Sequence, residues 1–207
     1  MHKALLWLAR LGLPLAGACT LQSPVDGPAP DVAGALRASF QAHGQAGMAR
    51  LEQDPLQAFC SRPQGERLAA ADLARRLEDA ERNAISLPAD GRLIGNWRAG
   101  EKIAQSGTGL QYSDDPGRPS GGNCYACHAL RSDEVAYGTL GPSLVHYGVT
   151  HGSDASAQRA AFMRIYDAKA FMACSLMPRF GRKGILTEEQ IKDLVGLLLD
   201  PDSPVNR

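Results

Sequence analysis

Cys124-Tyr125-Ala126-Cys127-His128 is the stretch on which the reading of this chain turns. Two thiols with two residues between them, followed at once by an imidazole, form the attachment signature of c-type haem. Each thiol can add across one vinyl group of a porphyrin as a thioether, and the histidine then presents its ring to one face of the iron. Two plainer readings compete. A zinc half-site would need a second ligand pair at similar spacing, and the sequence has none. A thioredoxin-like dithiol would need a βαβ context, which the surrounding Gly121, Gly122, Gly138 and Gly141 do not supply. One covalently bound haem c is therefore the expected cofactor, with Cys124 and Cys127 as attachment points and His128 as an axial ligand.

Working outward, the other face of the iron has six possible ligands: Met163, Met172, Met177, His43, His146 and His151. Met177 lies in Cys174-Ser175-Leu176-Met177-Pro178-Arg179-Phe180-Gly181, a non-helical stretch between two late helices, where Pro178 would rigidify the approach. Met163 and Met172 read more simply as core packing. His146 and His151 sit on a glycine-flanked loop too soon after His128 to cross to the far side, and read as surface histidines. Met177 is the expected sixth ligand, and methionine–histidine ligation raises the reduction potential. An axial histidine normally donates its second ring N–H to a carbonyl or carboxylate, and Pro142 in Gly141-Pro142 can supply that oxygen.

The chain starts Met1-His2-Lys3-Ala4-Leu5-Leu6-Trp7-Leu8-Ala9, a short basic start and an apolar run too short to span a bilayer. Residues 1–18 therefore read as a secretory signal. Leu15-Ala16-Gly17-Ala18-Cys19 fits ordinary cleavage before Cys19 and also a bacterial lipoprotein box, in which Cys19 would be the lipidated first mature residue; a lipid there would be the chain's one tie to a membrane. A periplasmic location follows, because c-type attachment in bacteria occurs outside the cytoplasm. Of five cysteines, Cys19 belongs to processing and Cys124 and Cys127 to haem. Cys60 and Cys174 remain, and in an oxidising compartment a disulfide is the economical reading, against two separate buried thiols.

A length of 207 residues suits one domain with an extension, and 22 basic against 22 acidic residues favour neither nucleic-acid binding nor long-range steering. Residues 19–31 read as a proline- and glycine-rich linker, and 32–88 as a helical extension with a helix from about Glu66 to Ala84. Residues 89–207 form the haem domain. Asn96 caps a helix from Trp97 to about Gln105, on which Gly100 would admit a close neighbour, and a helix is expected over Ala155 to Ala168. Thr187 and Gln190 form a capping-box pattern ahead of the stripe Ile191, Leu194, Val195 and Leu198, which Pro201 ends. No segment of this half reads as a sheet. The expected class is all-α, a class I cytochrome c-like domain with an N-terminal helical extension.

The same residues resemble the SoxX family, the small monohaem cytochrome subunits of the SoxAX complex of bacterial thiosulfate oxidation. The likeness is carried by Gly122-Asn123-Cys124-Tyr125-Ala126-Cys127-His128, Tyr137-Gly138-Thr139-Leu140-Gly141-Pro142-Ser143-Leu144 and the Met177 stretch quoted above. Leu186-Thr187-Glu188-Glu189-Gln190-Ile191 and Leu199-Asp200-Pro201-Asp202-Ser203-Pro204-Val205-Asn206 add to it, as does Pro88 to Ile103. It spans roughly Asp90 to Arg207. The resemblance implies His128 and Met177 as axial ligands and Cys124 and Cys127 as thioether attachments. It implies three partners: a SoxA-like haem subunit, a SoxYZ-like carrier and an accepting cytochrome c. In such an L-cysteine S-thiosulfotransferase the larger subunit carries the active site, and the small one passes on the electrons released there. No catalytic residue is expected in this chain. A free periplasmic cytochrome shuttle and a haem sensor or structural cytochrome are the competing readings. Arg179, Arg182 and Lys183, close behind Met177, read either as a basic docking patch for a partner or as a solvated turn, with one arginine pairing with a haem propionate.

Overall fold

The computed structural model describes residues 31–109 and 111–207, so the expected signal segment, Cys19 and the linker up to residue 30 lie outside the described residues. Helix α1, Val32–Ser39, begins at Asp31, whose carboxylate accepts the Gly34 N–H at 2.8 Å. It buries no residue, and Leu36 stands exposed on it. Helix α2, Pro55–Cys60, opens with a reciprocal capping box between Asp54 and Gln57 and buries Leu56 and Phe59. The single helix expected from Glu66 to Ala84 is two: α3, Gln64–Ala69, and α4, Ala71–Asn83, divided at Ala70 with φ −108° and ψ 36°. The division lets α4 pack against α2 and the 3-10 turn Ala168–Ala170, contacts that outweigh the weak preference of an alanine-rich run for continuous helix.

Helix α5, Trp97–Gln105, starts at Asn96, whose side chain accepts from the N–H groups of Arg98 and Ala99. Helix α6, Tyr147–His151, is short. Helix α7, Ala155–Tyr166, ends two residues before the expected Ala168, because Asp167 adopts an extended backbone (φ −152°, ψ 97°) ahead of the 3-10 turn. Helix α8, Glu188–Leu199, carries the Thr187–Gln190 capping box, with both bonds formed at 3.2 and 3.0 Å.

The most extensive helix pair is α5 against α8, and glycine makes its closeness possible. A Cβ on Gly100 would lie 2.7 Å from the Asp193 carbonyl carbon and 3.0 Å from Leu197 Cβ, so only a bare backbone fits the crossing. Just before α5, the Gly95 N–H donates to Lys192 O at 2.8 Å and the Asn96 N–H to Asp193 Oδ1 at 2.8 Å. Buried Lys192 keeps its charge by pairing with Glu188, Glu189 and Asp90, which ties the turn at Asp90 to α8. The core is built from Ile191, Leu194, Val195 and Leu197 of α8, with Ala161, Phe162 and Ile165 of α7 and Ala104 of α5. Burying one side chain such as Phe162 is worth about 1.5–3 kcal/mol. The chain end then turns back: Asn206 Nδ2 donates to Leu198 O at 3.0 Å, while its Oδ1 accepts the Gly148 N–H of α6 at 2.8 Å. Among the described residues there is no β-strand, only an isolated bridge between His43 and Ala46. The fold is all-α.

Candidate functional site

The Cys124–His128 stretch leaves a left-handed Asn123 (φ 45°, ψ 43°) and makes one 3-10 turn, Cys124–Ala126. The carbonyl of Cys124 accepts both the Cys127 N–H at 3.1 Å and the His128 N–H at 2.9 Å, closing the stretch into a tight loop. A second segment is laced along it by three backbone bonds: Gly138 N–H to Tyr125 O at 2.9 Å, Gly141 N–H to Cys127 O at 2.8 Å and Leu144 N–H to Ala129 O at 2.8 Å.

That lacing sets the histidine. Nδ1 of His128 lies 2.7 Å from Pro142 O. A carbonyl oxygen only accepts, so Nδ1 carries the proton and Nε2 keeps its lone pair for a ligand. The backbone at Gly141 rests on the ring, where a Cβ would lie 2.7 Å from Nε2. Both thiols of the motif are unpaired. Burial pushes the Cys124 thiol up to about 12, with Cys127 adding to the shift. Cys124 is therefore not an activated thiolate.

Met177 is half-buried and packs on the same core cluster as Cys124, Tyr125, Ile103 and Ile185, and its N–H donates to Ser175 Oγ at 3.2 Å. Met163 is half-buried on α7, whereas Met172 is 65% exposed and is not the core residue its type led one to expect. It sits in the irregular turn after Ala168–Ala170, with no helix face to carry it inward. His146 and His151 are exposed; His151 stacks on Tyr147, and His43 meets Tyr112 edge-on. Chemically, the motif offers one oriented imidazole and two unpaired thiols, and the Met177 thioether packs on the same core cluster as Cys124. These fit a covalently attached haem: soft thioether and imidazole donors suit its iron, and the thiols are free to be alkylated. Beside the motif lies a polar cavity of about 380 Å³ lined by Gln105, Tyr125, Arg131, Asp133 and Glu134.

Cys60 and Cys174 form a disulfide with Cα atoms 5.4 Å apart, joining α2 to the Met177 segment. The basic residues Arg179, Arg182 and Lys183 are all ion-paired within the chain, and only Arg182 and Lys183 remain partly exposed. Arg179 is buried and pairs with Asp54 and, at 3.2 Å, with Glu81; Arg182 reaches Glu81 and Lys183 reaches Asp54, each at 3.2 Å. Burial alone would raise the Asp54 carboxyl, but the Gln57 N–H, Lys183 and Arg179 outweigh it and hold it at about 2. Asp167, fully buried, is pushed the other way, by burial first and then by the Glu81 carboxyl beside it. Its Oδ2 has no donor in reach, an arrangement that a proton held between the two acids would satisfy. Sequence reading passed over Asp54, Glu81 and Asp167. Asp54-Pro55 was legible as a helix start, but no local signal names a charge partner more than a hundred residues away.

The chain is 38% identical over 158 residues to an uncharacterized lipoprotein of Aquifex aeolicus (strain VF5), a match covering 75% of this chain and 73% of that protein. No protein-family model matches.

Proposed function

The chain belongs to the family of that Aquifex aeolicus lipoprotein, and we propose that it is an exported electron-transfer protein holding one covalently bound haem c. The observation that carries this reading is His128, its Nδ1 committed to Pro142 O and its Nε2 left to ligate, beside two unpaired thiols. Cys124 and Cys127 would hold the group covalently, His128 and Met177 would ligate its iron, and Pro142 would fix the imidazole. Bound there, haem supplies a one-electron couple.

The chain's own residues do the rest. The Pro142 carbonyl raises the basicity of the imidazole. The Met177 thioether favours the reduced state, as suits an electron acceptor. The apolar core under Cys124 and Met177 keeps water from that side of the site. In the finer reading, residues 89–207 form a class I cytochrome c-like domain that acts as the SoxX-like small subunit of an L-cysteine S-thiosulfotransferase. It takes electrons from a SoxA-like haem subunit as thiosulfate is joined to a cysteine of a SoxYZ-like carrier, and passes them to a cytochrome c. The relative's description as a lipoprotein supports Cys19 as a lipid-bearing first mature residue, with the protein held at the periplasmic face of a membrane.

Expression in a host with a c-type maturation system tests the reading. Haem should remain with the polypeptide after acid–acetone extraction, and Cys124→Ala/Cys127→Ala should abolish that. Met177→Ala should keep covalent haem, lose the far-red sulfur-to-iron band and lower the potential. Haem fully extractable from the wild-type chain would overturn the proposal.

A further inference from the structure

The segment around Met177 is held in part by burial, since Ala173 and Phe180 are buried on either side of it and Met177 packs on the core, but other residues of the segment are open. Leu176 is 86% exposed and Met172 65% exposed. Behind Met177 the Gly181 N–H donates to Tyr166 O at 3.0 Å, and the residues before 89 add anchors on both sides of the methionine. Ahead of Met177, the Cys60–Cys174 disulfide ties it to α2, the Ala173 N–H donates to Glu78 Oε1 at 2.8 Å, and Arg82 of α4 donates to Ala170 O at 2.7 Å. Behind it, Arg179 is buried between Asp54 at the start of α2 and Glu81 of α4. A covalent bond three residues before Met177 and a buried ion pair two residues after it leave Met177 spanning a short stretch between fixed points.

We infer that the N-terminal extension is the positioning element for the sixth iron ligand, acting through the Cys60–Cys174 bond and the Asp54–Arg179–Glu81 ion pairs to hold the Met177 thioether in place. The inference rests on reading Met177 as that ligand. A neutral thioether is a weak donor, and a segment able to swing away would exchange it readily for water or another base. Pre-ordering the segment removes that conformational freedom before ligation. The anchors also differ in kind. The disulfide restricts the chain whatever the pH, whereas removing one partner from a buried ion pair leaves the other charge stranded.

The test uses full-length holoprotein in the ferric state. The wild type should show the far-red sulfur-to-iron band; its absence would remove Met177 as ligand and the inference with it. With the band present, Cys60→Ser/Cys174→Ser and Glu81→Gln are compared with Arg92→Gln, which breaks only an exposed pair with Asp90. The clamp variants should bind imidazole about tenfold faster or more, because losing the disulfide frees the chain ahead of Met177 and losing Glu81 leaves Arg179 with Asp54 alone behind it, and either change raises the population of the open segment. Their potentials should fall, while Arg92→Gln stays at the wild-type values. Arg179→Lys should recover part of the loss that Arg179→Met shows. Should a variant fail to fold, the wild-type disulfide is reduced, both thiols are capped with iodoacetamide, and the haem is reoxidised with ferricyanide before the same measurement. Imidazole rates and potentials within twofold and within error of wild type, with the band present throughout, would overturn the inference while leaving the ligand assignment intact.

Discussion

Replacing Gly141 by alanine should damage the site by contact alone. The φ of Gly141 lies outside the left-handed region, so alanine meets no backbone strain there. Its Cβ, however, would sit 2.7 Å from His128 Nε2 and 2.5 Å from Nδ1. Ordinary contact needs about 1 Å more, so either the imidazole or the Gly141-Pro142 turn has to move. Overpacking of this kind costs about 1–3 kcal/mol. Displacing the ring also breaks the bond between Nδ1 and Pro142 O, a further loss of about 0.5–1.5 kcal/mol. We therefore expect Gly141→Ala to be less stable by about 2–4 kcal/mol in guanidinium unfolding followed by circular dichroism. Two controls isolate the cause. Gly65→Ala, inside α3 with nothing within 4 Å of the new Cβ, should be stabilised by about 0.5–1 kcal/mol. Gly91→Ala has equally open space but a φ of +71°, and should lose stability through the backbone only. If Gly141→Ala behaves like Gly65→Ala, the packing of this turn on His128 is not as described, and the argument for a fixed Nε2 goes with it.

Removing the disulfide with Cys60→Ser/Cys174→Ser should cost about 2–4 kcal/mol in the same unfolding assay, since it closes a loop with a sequence separation of 114, for which chain entropy sets a ceiling of about 5 kcal/mol; an unchanged midpoint would show that the unfolded chain is not restricted by it. Asp54 fixes a pH dependence. Its carboxyl is lowered from 3.8 to about 2, so the unfolded chain takes up its proton first as pH falls; the stabilisation is complete above 3.8 and is lost as pH drops through about 2. The partly exposed side chain limits this to about 1–2 kcal/mol, and Asp54→Asn should flatten the acid limb of stability over that window. An acid limb of undiminished slope in Asp54→Asn would assign the effect to other carboxyls.

Features that short-range chemistry decides were legible in the chain. The Cys124–His128 spacing, the Asn96 and Thr187–Gln190 caps, the apolar stripe of α8 and the small residue at Gly100 are all written within a few residues of where they act. Helix limits were less legible where tertiary contact intervened, at Ala70 and at Asp167. The pairing of Arg179, Arg182 and Lys183 emerges only on folding. Counted along the chain they are a basic cluster beside Met177; folded, they are paired with Asp54 and Glu81, about a hundred residues or more earlier. The same holds for Asp167, an ordinary helix-end aspartate in sequence and a fully buried acid against Glu81 in space. The physical reason is the range of the interactions: periodicity and capping are set by neighbours three or four residues apart, whereas a charge takes its meaning from whatever the fold brings within a few ångströms of it.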